Sequence, residues 1–295
     1  MTARHHRTVQ TLIEALPYIR RFQGATMVVK YGGAAMTSPQ LAEQFAKDIV
    51  LLKLVGMRPI IVHGGGPEIT RQMGRLGLEP VFVDGQRVSE RVSDAATLEV
   101  AGMVLAGKVN KDIVGLINTH GGTAVGLSGQ DGRLIRAQVK EHRDLEGNLL
   151  DLGFAGSVES IDTTVLDLLA DEMIPVVASV GADDDGQVFN LNADTVAGEL
   201  AAAAHAEKIV FLTDVGGILE DDGFEQDVVS ACDLAYLGAL QGAGKISGGM
   251  LPKVAAVRQA LEAGVASAHI VDGRVEHAVL LEVLTDAGCG TKVTP

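Results

Sequence analysis

The stretch Met27-Val28-Val29-Lys30-Tyr31-Gly32-Gly33 sets the reading of the fold: a short valine-rich run stops at a lysine and turns on paired glycines. A helical pattern from Leu41 to Leu54 follows, then a second apolar run, Pro59 to His63, which ends on Gly64-Gly65-Gly66-Pro67. Strand, turn, helix, strand is the rhythm of a βαβ unit, because parallel strands need a long crossover between them. Working outward, further strand candidates are Thr123 to Leu127, Ile174 to Ser179, Val188 to Leu191, Lys208 to Thr213 and Ala268 to Asp272. Helical stretches such as Ile69 to Leu76 lie between such runs. The fold class that follows is α/β, a three-layer αβα sandwich around a mainly parallel central sheet.

Smaller features fill in this frame. Val9, Leu12, Ile13 and Leu16 recur at helical spacing, so the chain opens with an amphipathic helix that Pro17 is expected to break or kink. Such a helix packs on its own domain or serves a subunit contact. Gln130-Asp131-Gly132-Arg133 and Glu146-Gly147-Asn148 are turn signals of hairpin type, and Asp183-Asp184-Asp185-Gly186 reads as a turn between two strands.

Composition excludes several functions. The net charge of -14 repels phosphate backbones and anionic membrane surfaces, and with aromatic residues at 3% and no Trp there is no stacking platform for bases. Nucleic acid is therefore not an expected partner. Cys232 and Cys289 have neither metal-site spacing nor the density of a disulfide scaffold, which fits a reducing cytoplasm. Arg4-His5-His6-Arg7 is followed by Gln10, Thr11, Glu14 and Pro17 before any apolar run, unlike a signal peptide, and no membrane-spanning stretch is expected.

Three glycine turns follow strand candidates: Lys30-Tyr31-Gly32-Gly33, His63-Gly64-Gly65-Gly66 and Thr213-Asp214-Val215-Gly216-Gly217. At the carboxyl ends of parallel strands they face the crevice where α/β proteins bind ligands, and glycine lets backbone N–H groups approach an anion. Gly248-Gly249 precedes a helix that carries Lys253. None of these follows the Walker A or dinucleotide spacing, so a phosphate-handling site of another kind is indicated and a dinucleotide oxidoreductase is disfavoured.

These residues resemble the amino-acid kinase family, and within it the N-acetylglutamate kinases. The resemblance rests on Val29-Lys30-Tyr31-Gly32-Gly33-Ala34-Ala35-Met36, Val62-His63-Gly64-Gly65-Gly66-Pro67, Asp84-Gly85-Gln86-Arg87-Val88, Asn190-Leu191-Asn192-Ala193-Asp194, Leu212-Thr213-Asp214-Val215-Gly216-Gly217 and Ser247-Gly248-Gly249-Met250-Leu251-Pro252-Lys253-Val254, in order and spacing along nearly the whole chain. It implies the amino-acid kinase fold, ATP as donor and the γ-carboxylate of N-acetyl-L-glutamate as acceptor, in arginine biosynthesis. Lys30 and Lys253 would flank the transferring phosphoryl group and Asp194 would hold both ammonium groups, as two like charges require. Arg87 would pair with the α-carboxylate through its planar fork, with Gly65, Gly66 and Asn190 as further acceptor contacts. Gly32, Gly33, Asp214, Val215, Gly216, Gly217, Ile218, Leu219, Lys245, Ile246 and Ser247 match nucleotide-binding positions. Mg2+ would be held mainly by nucleotide phosphates and water, without a protein metal ligand. A kinase for a related carboxylate, such as an aminoadipate derivative, or a non-catalytic arginine sensor are the alternatives.

A second resemblance concerns control. Ala15-Leu16-Pro17-Tyr18-Ile19, and Ser267-Ala268-His269-Ile270-Val271-Asp272-Gly273-Arg274 with Glu282 and Gly288, resemble the arginine-inhibited members. It implies an effector site of Tyr18, Lys208, His269, Glu282 and Gly288, and a hexamer built as a trimer of dimers through the N-terminal helices. The organisation implied is an interlacing helix at residues 1–23, an acylglutamate-binding lobe at 24–192 and a nucleotide-binding lobe at 193–295.

Overall fold

The computed structural model describes residues 3–36, 38–84, 89–144, 146–221, 226–285 and 288–295. An eight-stranded sheet runs in the order Ala231–Asp233, Gly290–Thr294, Ser267–Asp272, Lys208–Thr213, Thr26–Tyr31, Arg58–His63, Ile174–Ala178, Ala124–Ser128. Neighbours pair in parallel except Ser267–Asp272 against Gly290–Thr294. The chain leaves Thr26–Tyr31 toward Arg58–His63 on one side and later returns to Lys208–Thr213 on the other, so the order reverses beside Thr26–Tyr31. At such a switch point the carboxyl ends of the strands open a crevice.

Side-chain alternation distributes two cores, one on each face of the sheet. Met27, Val29 and Tyr31 point into one with Ile61, Val210, Leu212 and Val271, against the helices Pro39–Leu54, Asn110–Thr119 and Ala278–Leu284. Val28 points into the other with Ile60, Val62, Ile209, Phe211 and Ile270, against Ala193–Ala203 and Met250–Glu262. Strands buried on both faces read as unbroken apolar runs, which is why they were legible.

A second, four-stranded sheet takes Val188–Asn190, Val180–Ala182, Ile135–Val139 and Gly156–Ile161. The turn at Asp183 to Gly186 joins an antiparallel pair in it, with the backbone N–H of Gln187 donating to Asp183 Oδ1. Glu146-Gly147-Asn148 lies between the paired strands His142–Arg143 and Leu149–Leu150.

Pro17 does not end the first helix, which runs Ala3–Phe22. The carbonyl left without a partner lies one turn back, at Ile13, which is itself 57% exposed, so water can satisfy it. Phe22 is buried and Tyr18 packs on the same core, whereas Ile13 and Leu16 face outward. The helix is thus seated by its last turns.

Candidate active site

Lys30 is next to last in Thr26–Tyr31, and alternation turns it to the face where Ala193–Ala203 and Met250–Glu262 pack. Asn192 caps the first of these helices, its Oδ1 accepting from the N–H groups of Asp194 and Thr195 at 2.9 and 3.1 Å. The Asp194 carboxylate is therefore free of the capping role common for that residue type and turns to the lysines. Lys253 Nζ donates to Asp194 Oδ2 at 2.8 Å, and Lys30 Nζ stands 3.0 Å from Oδ1 as an ion pair. Burial alone would push the Asp194 carboxyl up, but the charges of Lys30 and Lys253 outweigh it and the net shift is downward.

The two helices can bring Asp194 and Lys253 together because Gly198 lets them touch: a Cβ there would fall 2.9 Å from the Ala256 carbonyl oxygen. At Gly33, φ is +66° and a Cβ would collide with the Asp214 carboxylate, so the turns after Thr26–Tyr31 and Lys208–Thr213 meet closely. The first contact places Lys253 beside Asp194, and the second brings the two glycine-bearing turns together.

A cleft of about 620 Å³ opens from this point. Its polar end is Lys30, Gly32, Gly33 and Gly64 to Gly66, and its apolar wall includes Met36, Ala42, Phe45, Ala46, Val109 and Ile113. Glu68, Arg71, Lys108 and Asp112 also line it, joined as Glu68–Arg71 and Lys108–Asp112 ion pairs. These four were not anticipated, since a charged pair one helical turn apart is ordinary on any exposed helix. Asn190 is not part of this wall; its Nδ2 donates to Ser93 Oγ at 3.3 Å. Arg87 lies outside the described residues.

Of the expected nucleotide positions, Asp214 lies against Gly33, and Asp214, Val215, Leu219, Lys245 and Ser247 are exposed. Ile218 and Ile246 instead point into the core, so any contact with a nucleotide there falls to their backbone.

The expected effector residues gather on the opposite face of the sheet. Lys208 and His269 share alternation with Val210 and Val271, facing the first and last helices. His269 Nδ1 and Glu282 Oε1 are 2.6 Å apart, and the Cys289 N–H donates to Glu282 Oε2 at 2.7 Å. Burial lowers His269, so the ring is neutral and donates from Nδ1, leaving Nε2 to face Ser267 Oγ at 3.0 Å and Lys208 Nζ at 3.4 Å. Lys208 Nζ also lies 4.7 Å from the centre of the Phe22 ring. Burial and the nearby charges of Lys292 and Arg21 push Lys208 down to about 8. Glu282 is buried rather than an exposed helix charge, and Gly288 turns beside it with φ of +62°.

The amino acid kinase family model matches residues 25–272. The chain belongs to the amino acid kinase family. Within that family it is similar to the acetylglutamate kinase of Hydrogenovibrio crunogenus, 51% identical over 289 residues covering 96% of this chain and 95% of that one. The acetylglutamate kinase of Synechococcus elongatus is 52% identical, covering 97% of this chain and 91% of its own. Like these relatives, this member is a phosphotransferase with a carboxyl group as acceptor, and the relationship supports N-acetylglutamate as the molecule phosphorylated. Among solved structures, the N-acetylglutamate synthase of Neisseria gonorrhoeae complexed with coenzyme A and N-acetyl-glutamate superposes with a TM-score of 0.84 at 26% identity, over 97% of this chain. The chain spans 63% of that synthase's length. Giardia carbamate kinase shares the fold, with a TM-score of 0.68 at 16% identity over 92% of this chain and 99% of its own.

Proposed function

We propose that the chain transfers the γ-phosphoryl group of ATP to the γ-carboxylate of N-acetyl-L-glutamate, giving N-acetylglutamyl 5-phosphate for arginine biosynthesis, and that arginine inhibits it. The observation that carries the chemical reading is the bridge in which Asp194 holds Lys30 at 3.0 Å and Lys253 at 2.8 Å beside the glycine turns.

A glutamate-type carboxyl titrates near roughly 4.3, so the nucleophile is already ionised at neutral pH and no general base is required. The carboxylate oxygen forms a bond to the γ-phosphorus while the bond to the β,γ-bridging oxygen breaks and ADP leaves. Charge on the transferring group is met by Lys30 and Lys253, whose spacing Asp194 fixes in advance. Gly65 and Gly66 offer backbone to the acceptor, with Arg87 and Asn190 as its further contacts. Gly32, Gly33, the segment Asp214 to Leu219 and Lys245 to Ser247 take the nucleotide. Magnesium fits as an ion carried by the nucleotide, because Gly32 lacks the Cβ that would meet Lys30 Nζ at 2.5 Å and so leaves the ammonium, which lines the cleft, approachable by phosphate oxygens over the turn. Carried in by the nucleotide beside Lys30 and Lys253, it would supply positive charge that offsets the charge of the phosphates.

The reading assigns residues 24–192 to the acceptor and 193–295 to the nucleotide. Arginine control is supported by the gathering of Lys208, His269, Glu282 and Gly288, and by the gonococcal synthase, solved with L-arginine and similar at a TM-score of 0.79. A hexamer assembled through the first helix is supported by its outward Ile13 and Leu16. Two free cysteines suit a cytoplasmic site.

ADP release from MgATP with N-acetylglutamate, aminoadipate and glutamate as parallel acceptors, each with and without arginine, tests the whole reading. Selective turnover of N-acetylglutamate suppressed by arginine is expected. Turnover without suppression removes the effector site, and preference for another acceptor overturns the substrate.

A further inference from the structure

His63 is fully buried at the carboxyl end of Arg58–His63, directly before Gly64-Gly65-Gly66, and alternation turns it to the face where Asn110–Thr119 packs. Its Nδ1 lies 3.0 Å from the Gly64 carbonyl oxygen, and its Nε2 lies 3.1 Å from Asn110 Nδ2. Asn110 is equally enclosed, and the same amide nitrogen donates to the carbonyls of Val176 at 2.8 Å and Leu127 at 3.3 Å. Two carbonyl partners identify it as the NH2 group, which can only donate. Nε2 is therefore the acceptor of the ring, and the proton sits on Nδ1, from which it is given to Gly64. Burial pushes the imidazole down to about 4, so the ring is neutral and keeps this polarity at working pH.

We propose that His63 is a positioning residue for the acceptor: by pinning the Gly64 carbonyl oxygen toward the interior, it aims the Gly65 N–H into the cleft. The Gly64–Gly65 peptide is trans. In a trans peptide the carbonyl oxygen and the following N–H point in opposite directions, so holding one directs the other. Gly64 and Gly65 both line the cleft beside Lys30. Were this peptide to turn over, a carbonyl oxygen rather than an N–H would face an anionic acceptor. Glycines permit that rotation readily, and a bonded neighbour is what prevents it. Asn110 follows directly on the π-helical turn Met103–Val109, a distortion common at functional sites, and that turn seats Leu105 against Gly65. Neither His63 nor Asn110 need touch substrate for this role.

The inference rests on the reading that Gly65 and Gly66 meet the acceptor, and its test separates the two. A two-bond 15N–1H correlation on the wild-type protein locates the proton of His63; Nδ1 is expected, and a proton on Nε2 overturns the proposal while leaving the acceptor reading intact. His63→Asn keeps a donor at the Nδ1 position, whereas His63→Gln and His63→Leu do not. We expect the last two to raise the N-acetylglutamate KM about tenfold and His63→Asn to stay within about threefold of wild type, with the ATP KM within about twofold throughout. Equal acceptor KM in all three variants, or an ATP KM that rises in step, reduces His63 to packing and overturns the proposal. If the proton is on Nδ1 yet no variant moves the acceptor KM, the proposal is likewise overturned, while the acceptor reading is judged separately by whether the protein turns over N-acetylglutamate.

Discussion

Asp194 is nearly enclosed and sits between two ammonium groups, so its ionisation and theirs depend on one another. With its carboxyl held low, it contributes stability that is complete above about pH 4 and lost as pH falls through its folded value. Asp194→Asn leaves Lys30 and Lys253 facing one another and is expected to cost about 3 kcal/mol at neutral pH. Urea denaturation across pH checks this: the gap between wild type and variant should hold from pH 8 to about pH 5 and shrink only in acid, and a gap that widens in acid would contradict the sign. Lys253→Ala removes a charge that acts on the transferring group, so kcat should fall about 10²- to 10³-fold with the acceptor KM little changed. Steady-state kinetics showing near-normal turnover would refute its role.

At the scale of elements, the first helix divides along its length into a buried end and an exposed one. Its final turns belong to the core through Phe22, which also lies under Lys208, while its outer part presents Ile13 and Leu16 to solvent. Truncation before Pro17 therefore tests the proposed role in assembly without removing the core contact of Phe22, which deletion through Phe22 would lose. We expect that truncated protein to keep its turnover and to elute as a smaller assembly by light scattering; retention of the full-length mass would show that the helix does not join subunits. The packed helices Ala193–Ala203 and Met250–Glu262 work differently, since Gly198 allows their contact and thereby places Lys253 on Asp194.

Across the whole molecule, the lysine bridge and the Lys208, His269 and Glu282 cluster occupy opposite faces of one sheet. They are also at opposite ends of its strands: Lys208 begins the strand whose other end is Thr213, a span of about 17 Å. On the proposed reading, arginine bound at that cluster acts allosterically, and linkage then requires bound N-acetylglutamate to weaken arginine by the same factor that arginine weakens N-acetylglutamate. Glu282→Gln should raise the arginine concentration for half-inhibition at least about tenfold, since a charge-assisted pair is lost, with uninhibited kcat within about twofold. Inhibition curves that overlay those of the wild type would place the effector elsewhere. The sequence by itself determined the parallel sheet, because strands buried on both faces write themselves as apolar runs, and it determined the glycine turns, because phosphate chemistry constrains backbone next to the strand that bears it. Lys30, Asp194 and Lys253 were singled out through the family resemblance of the motifs that hold them, and the structure brings their three side chains together. The tertiary structure alone decided that Ile218 and Ile246 turn inward, that Asn192 rather than Asp194 caps its helix, and that His63 meets Asn110. Those outcomes depend on contacts between residues distant in the chain, where no local pattern records which neighbour a side chain will find.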